Sequence, residues 1–230
     1  MKLGQRIVDG IFLERPNRYL AHVEIGGQMV SAHVPDPGRL PGLMIPGRRV
    51  RLVHNPGPKR KTDYTLVLVR HGPLWVSVYP VFANALVREA LQARTLSCFT
   101  GYDGFSAEVK WGASRFDFKL ETPRGPLFVE VKSVSLVEGT LGKFPDAPTE
   151  RGRKHLRELI ALRKNGQGAA VLFVSQRSDT RAVTSHDAMD PEFGKLLREA
   201  AQVGVELYAY NCRVTASAVT LNRAVEVVFG

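Results

Sequence analysis

Asp117, Glu130 and Lys132 have the residue types and the spacing to do chemistry together. They lie in a stretch, residues 115–133, that reads as two short strands around a turn. Thr122, Pro123, Arg124, Gly125 and Pro126 are turn formers, and both flanks alternate apolar and polar residues. Successive side chains on a strand point to opposite faces. Phe116, Phe118 and Leu120 are therefore expected on one face, with Arg115, Asp117 and Lys119 on the other. On the second strand Val129 and Val131 turn to the core, while Phe128, Glu130 and Lys132 turn away. A hairpin symmetrical about the 123–124 bond sets Asp117 opposite Glu130. Directly opposed residues have Cβ atoms about 4.5–5.5 Å apart, where like charges repel. A hard divalent cation with oxygen ligands relieves that repulsion. Lys132 follows Glu130 on the same face, about 6.5–7 Å along the strand, within reach of an anion or water held by such a cation. Two carboxylates for a metal and an ammonium for phosphate or attacking water are the parts of a metal-dependent phosphodiesterase.

The motif alone proves little, because Glu-Val-Lys occurs twice, at residues 108–110 and 130–132. A solvated hairpin face with alternating charges would look the same. The opposing acid and the apolar frame of Leu127, Phe128, Val129 and Val131 favour a site at the second copy.

The elements that must position these residues fall into two regions. Residues 1–80 read as all-β, with strands expected over 5–13, 18–25, 28–34, 48–53, 64–70 and 74–79. Gly26-Gly27 has the form of a two-residue hairpin turn. Short strands in such number suggest a small oligonucleotide-binding (OB-like) barrel. Residues 35–42, rich in Pro and Gly, form either a loop offering amides to phosphate or a plain connection. At Tyr79-Pro80 the apolar period changes to that of a helix over 80–94, with Phe82, Leu86 and Ala90 on one face. This sets a boundary between residues 1–80 and 81–230. Strands over 105–110, 114–121 and 127–134 follow, then a polar loop, a helix over 149–164 and a buried strand over 169–175. A right-handed crossover makes that last strand parallel to its neighbour. Asp190-Pro191 opens another helix, with Asp as N-cap. A strand over 205–210 and a closing hairpin, 218–221 with 225–229, complete the chain. His186, Asp187 and Asp190 read as a loop and cap rather than a metal cluster.

The net charge is +10, and residues 1–80 carry most of it, with 12 Lys and Arg against five Asp and Glu. A basic excess speaks of partners, and a polyanion is the natural one. Candidate contacts are Arg15, Arg18, Arg39, Arg48, Arg49, Lys59, Arg60 and Lys61, with Tyr19 and Tyr64 placed to stack on bases. On the helix over 149–164, Arg151, Arg153, Lys154, His155 and Arg157 crowd the first two turns. Positive charge there opposes the helix dipole unless an anion binds. No apolar run approaches a membrane span and the first residues lack a signal peptide's apolar core, so a cytoplasmic protein is expected. Cys98 and Cys212 lack the paired spacing of a disulfide framework or zinc site.

Several segments resemble the sugar fermentation stimulation protein family. They are EVKWGASRFDF at 108–118, FVEVKSV at 128–134 and FPDAPTERGRKHLREL at 144–159, with RPNRYLAHV at 15–23 and HVPDPGRL at 33–40. The family usually has Asn-Thr where this chain has Asp36-Pro37, which questions any hydrogen-bonding role of that loop. The resemblance implies a mixed α+β and α/β chain, an OB-like barrel followed by a PD-(D/E)xK nuclease-like domain of order αβββαβ. It places an acidic site on Glu108, Asp117 and Glu130, with Lys132 as its lysine. Mg²⁺ or Mn²⁺ would be held by those acids, with the Val131 carbonyl completing the shell. It also implies DNA binding and a role in regulating sugar (maltose) catabolism genes. Two readings follow: a nuclease, or a DNA-binding regulator whose acidic cluster does no chemistry.

Overall fold

The computed structural model describes residues 1–3, 6–40, 42–112 and 114–229. The expected strand start at Gln5, and Pro41 of the Pro/Gly-rich loop, lie outside them. Six strands lead the chain: β1 Ile7–Asn17, β2 Leu20–Ile25, β3 Gln28–His33, β4 Arg49–His54, β5 Tyr64–His71 and β6 Leu74–Ser77. They pair in the order β3-β2-β1-β4-β5-β6, and a parallel contact between β3 and β5 closes the first five into a barrel. Gly26 and Gly27 make the β2–β3 turn with φ of 57° and 82°, the left-handed pair that matches the twist of a two-residue hairpin. Phe12, Val23, Leu52, Leu66 and Val76 fill the barrel. Val67 and Leu68 join the core of the following domain instead, so β5 is buried from both sides.

Helix α1, Val81–Gln92, follows, then β7 Gly104–Trp111, β8 Ser114–Thr122 and β9 Gly125–Val134. After β10 Leu136–Glu138 and β11 Leu141–Phe144 come α2 Glu150–Lys164, β12 Gly168–Ser175 and β13 Ala182–Ser185. The chain closes with α3 Pro191–Gln202, β14 Glu206–Val214 and β15 Val219–Val227. These nine strands form one sheet, β10-β11-β13-β15-β14-β12-β9-β8-β7. Strand β12 runs parallel to β9 across α2, as the crossover rule requires. Helix α1 covers one face of the sheet, while α2 and α3 cover the other. Among the described residues no helix is long and apolar enough to cross a membrane.

Three expectations need correction. The supposed polar loop after residue 134 carries β10 and β11, whose three and four residues are too short to show a period. The closing hairpin is β14 with β15, and Asn222-Arg223 lies inside β15 rather than at a turn. Strand β9 is buried on both faces, so Phe128, Glu130 and Lys132 turn toward α2 and not toward solvent.

Candidate active site

The site grows out of the β8–β9 hairpin. Its register runs from Thr122 opposite Gly125 to Phe118 opposite Val129, the symmetry expected of the turn. The next step would set Asp117 against Glu130, and there the backbone pairing ends. Asp117 Oδ2 accepts from the Val131 N–H at 2.8 Å, so a carboxylate takes the place of a carbonyl in the ladder. The other neighbour is distorted at the same level. Ala107 pairs with Phe118 and Val109 with Phe116, while Glu108 between them has φ of 55°. A non-glycine residue there is uncommon and such outliers cluster at functional sites. Alternation breaks with the ladder: Phe118 packs in the core beneath α1, but Phe116 packs with Phe128 and His155 beneath α2.

Each acid is held by a different helix. Asn84 of α1 donates its amide to Asp117 Oδ1 at 2.6 Å. His155 of α2 contacts Glu130 Oε1 through Nδ1, and Lys132 Nζ lies 2.7 Å from that same oxygen and 3.4 Å from His155 Nδ1. The cap of α2 fixes this helix. Thr149 accepts from Gly152 N at 3.0 Å, and a Cβ on Gly152 would stand 2.7 Å from Thr149 Cγ2 and 3.3 Å from Phe193 of α3. Glu130, Lys132 and His155 are 3, 8 and 4% exposed. Burial pushes the Asp117 carboxyl above the usual range, and the neighbouring Glu130 charge pushes it further. Burial presses Glu130 the same way, but the His155 bond and the Lys132 charge outweigh it and hold this acid below its ordinary value.

Both contacts to Glu130 fall on Oε1, and Oε2 is buried without a hydrogen-bond partner. An orphaned carboxylate oxygen beside a second carboxylate is a place a hard cation fits. Glu130 and Asp117 would hold it. The Val131 carbonyl is available too, since N–H and C=O of one strand residue point to the same neighbour. Glu108 stands apart: it is exposed, pairs with Arg115 at 3.2 Å, and lines a hollow with Asn84 and Arg88. Among the described residues no three His, Cys, Asp or Glu side chains converge as a metal cage. Mg²⁺ needs no such cage, being commonly held by one or two carboxylates with water and phosphate supplying the rest.

The basic candidates divide. Tyr19, Arg60 and Lys61 line one hollow on the barrel. Arg15, Arg18 and Arg39 line a second, between the barrel and the residues before α2. Arg15 is committed inside the protein, donating to the carbonyls of Arg18, Asp36, Gly38 and Arg39. Arg48 bonds Gly42 O and His71 at the rim of the barrel, with exposed Arg49 beside it, and Lys59 is exposed on the β4–β5 loop. Tyr64 stacks on His54, ring centres 4.8 Å apart. On α2, Arg153 pairs with Glu150 and Asp190, and Arg157 with Glu192, so acids of the protein itself answer much of that charge. Arg151 and Lys154 are exposed there.

Known proteins are similar to this chain in sequence and fold. The description "Sugar fermentation stimulation protein RE domain" matches residues 81–218, and "SfsA N-terminal OB domain" matches residues 13–78. A sugar fermentation stimulation protein homolog of Thermoanaerobacter sp. (strain X514) is 43% identical over 229 residues, covering 99% of this chain and all of the relative. One from Citrifermentans bemidjiense is 42% identical over 230 residues, with 99 and 100% covered. The chain belongs to the sugar fermentation stimulation protein family. A solved member, Pyrococcus furiosus SfsA in complex with Ca²⁺, superposes with a TM-score of 0.88 at 29% identity, over 99% of both chains.

In this family member Asp36 keeps the hydrogen bond that its exchange for Asn questioned: Oδ1 accepts from Gly38 N at 2.8 Å. Two residues of the site escaped sequence reasoning in their roles. Asn84 is neutral and 33 positions from Asp117, and nothing local marks it. His155 stood in a run of basic residues, but it alone of that run falls on the apolar stripe with Leu156, Leu159 and Ile160. A titratable group on a buried stripe was the available signal. Asp190 is the N-cap expected of it, accepting from Phe193 N at 3.0 Å.

Proposed function

We propose that this protein is a metal-dependent nuclease, in which the barrel holds nucleic acid, DNA by preference, and the second domain hydrolyses a phosphodiester bond. The observation that carries the reading is Glu130 Oε2, a buried carboxylate oxygen left free beside Asp117 and Lys132. The Ca²⁺ bound by the Pyrococcus furiosus relative and the net charge of +10 support it. Mg²⁺ or Mn²⁺, when bound, supplies a Lewis acid for the phosphoryl oxygen and lowers the pKa of a water.

The protein's own groups do the rest. Asp117 and Glu130 would hold the metal ion, and their helix partners Asn84 and His155 keep both carboxylates from turning. Lys132 Nζ, fixed by Glu130 Oε1, presents its remaining protons to a non-bridging phosphate oxygen or to the attacking water. There it stabilises the negative charge that develops in transfer. The low exposure of this cluster strengthens each of those interactions.

The same enclosure favours a second reading. Lys132 and Glu130 are turned on each other and nearly sealed from solvent. A closed site would leave a DNA-binding regulator of sugar (maltose) catabolism genes. Cleavage of labelled single- and double-stranded DNA and RNA with Mg²⁺ or Mn²⁺ decides between them. The nuclease reading expects cleavage by the wild type and a loss of about 10²–10⁴-fold in Asp117→Ala. DNA affinity without metal should be unchanged or raised in that variant. No cleavage of any substrate with either metal gives the regulator reading, and retained cleavage in Asp117→Ala removes the catalytic assignment.

A further inference from the structure

Two hollows on the barrel side of the molecule share a wall. The first, about 610 Å³, is lined by Asn17, Tyr19, Leu20, His33, Arg60 and Lys61 among others. The second, about 580 Å³, also begins at Asn17 and runs past Arg18 and Arg39 to Asp146, Ala147 and Pro148, just before α2. Asn17 thus lines both a hollow on the barrel and one that reaches the residues leading into α2. Arg151, about one turn before His155 on α2, is exposed.

The two hollows differ in chemistry. In the first Tyr19 is 51% exposed, presented by a tight turn in which Asn17 Oδ1 accepts from Tyr19 N at 2.9 Å. Leu20 and the His33 ring give this hollow apolar and aromatic lining. Arg60 is held across it, donating to Thr65 Oγ1 at 2.7 Å and Thr62 O at 3.2 Å. The second, at Arg18 and Arg39, offers exposed positive charge and no exposed aromatic ring. An aromatic pocket followed by a basic track matches an unpaired base followed by its sugar-phosphate backbone. In a duplex both faces of each base are covered by neighbours, so a helix laid on this surface would leave Tyr19 and its hollow empty.

We infer that the ligand is a single strand, with one unpaired base stacked on Tyr19 and the backbone led over Arg18 and Arg39 to Arg151 and the acidic site. The inference rests on the nucleic-acid reading above and adds the strand type and the path. It is tested on the full chain in EDTA, so that cleavage plays no part, by fluorescence anisotropy of one labelled oligonucleotide offered as a single strand and as its blunt duplex. The single strand should bind at least about tenfold tighter. Tyr19→Ala should weaken single-strand binding by roughly fivefold to a hundredfold, the loss of one base stack. Tyr19→Phe should retain most of it, and duplex binding should be unchanged in both variants. Tyr19 sits on an exposed turn, and an unchanged melting temperature shows that the variants are folded. Equal affinity for the two forms, or an equal effect of Tyr19→Ala on both, overturns the inference and leaves the nuclease reading standing. Failure to bind either form overturns both.

Discussion

The molecule holds two pairs of buried or half-buried acids, and of the four only Glu130 sits below its ordinary pKa. Asp117 and Glu130 lie in the second domain. Asp36 and Asp146 meet where the barrel loop touches that domain, so close that a Cβ on Gly38 would overlap the Asp146 carboxylate. Each pair has a cation beside it and an oxygen without a partner, Glu130 Oε2 in one and Asp146 Oδ2 in the other. The difference is where the cation spends its hydrogen bonds. Lys132 gives one to Glu130, and with the His155 bond, the larger influence, it holds Glu130 below its ordinary pKa despite burial. Arg15 gives its own to four backbone carbonyls, so burial dominates and lifts Asp36 to about 6, with the nearby Asp146 adding to the shift. Asp146 is raised by its burial as well. A nearby cation controls a buried acid only when its donors reach the carboxylate. In the first pair Glu130 is held ionised while Asp117 is raised, and in the second pair both acids are raised.

The strongest way to break this contrast is to take away Lys132. Lys132→Ala leaves Glu130 buried with His155 alone and should lower stability by about 3–5 kcal/mol in urea denaturation. Cleavage should fall about 10²–10⁴-fold as well. Replacing both partners, Glu130→Leu with Lys132→Met, should recover most of the stability and none of the cleavage. If the double variant is as unstable as the single one, the ion pair is not the reason for the loss.

Asp36→Asn tests the other pair with the opposite sign. Its carboxyl is raised from 3.8 to about 6. Between those values the folded chain keeps a proton that the unfolded chain has lost. Stability therefore falls as pH rises through that window and stays lower above it. Asn keeps the acceptor for Gly38 N and removes the charge. The variant should match the parent near pH 4 and exceed it by about 2–3 kcal/mol above pH 7, a rise of roughly 4–12 °C in melting temperature. A variant equally or less stable at pH 8 would mean that Arg15 does compensate Asp36.

Asn84→Ala sharpens the account of the first pair. Freed of its amide, Asp117 should bind Mn²⁺ roughly 10–100-fold more weakly by calorimetry, with a smaller loss of stability. The smallest effect belongs to Glu108→Gln. An exposed pair with Arg115 is worth at most about 1 kcal/mol, so melting should barely move. Lost Mn²⁺ binding in this variant would turn the pair of acids into a triad.

The contrast was only half legible beforehand. Turn formers centred on residues 123–124 gave the hairpin its register, and the register alone brings Asp117 to Glu130. The charge of Lys132 and its place two residues on were equally plain. Burial was not, because the helix that covers Glu130 and Lys132 begins 18 residues after Lys132, and its run of basic residues suggested solvent. The barrel strands followed their period of two. The short strands β10, β11 and β13 did not, since three or four residues carry no period and their pairing is made by distant neighbours. The second acid pair had no local signature at all: Asp36 and Asp146 are 110 positions apart, in loops whose Pro and Gly content says only that the chain turns.

Gln176, directly after β12, gives the barrel and the sheet a common frame. It accepts from Ser77 Oγ at 2.7 Å, its own carbonyl takes the Ser77 N–H, and its amide reaches Tyr79 O and Ser133 Oγ. Ser133 is the next residue after Lys132. The end of the barrel and the strand that carries Lys132 are thus tied to one residue, which bonds both through its side chain and the barrel through its carbonyl as well, so that displacing Gln176 would loosen both domains at once.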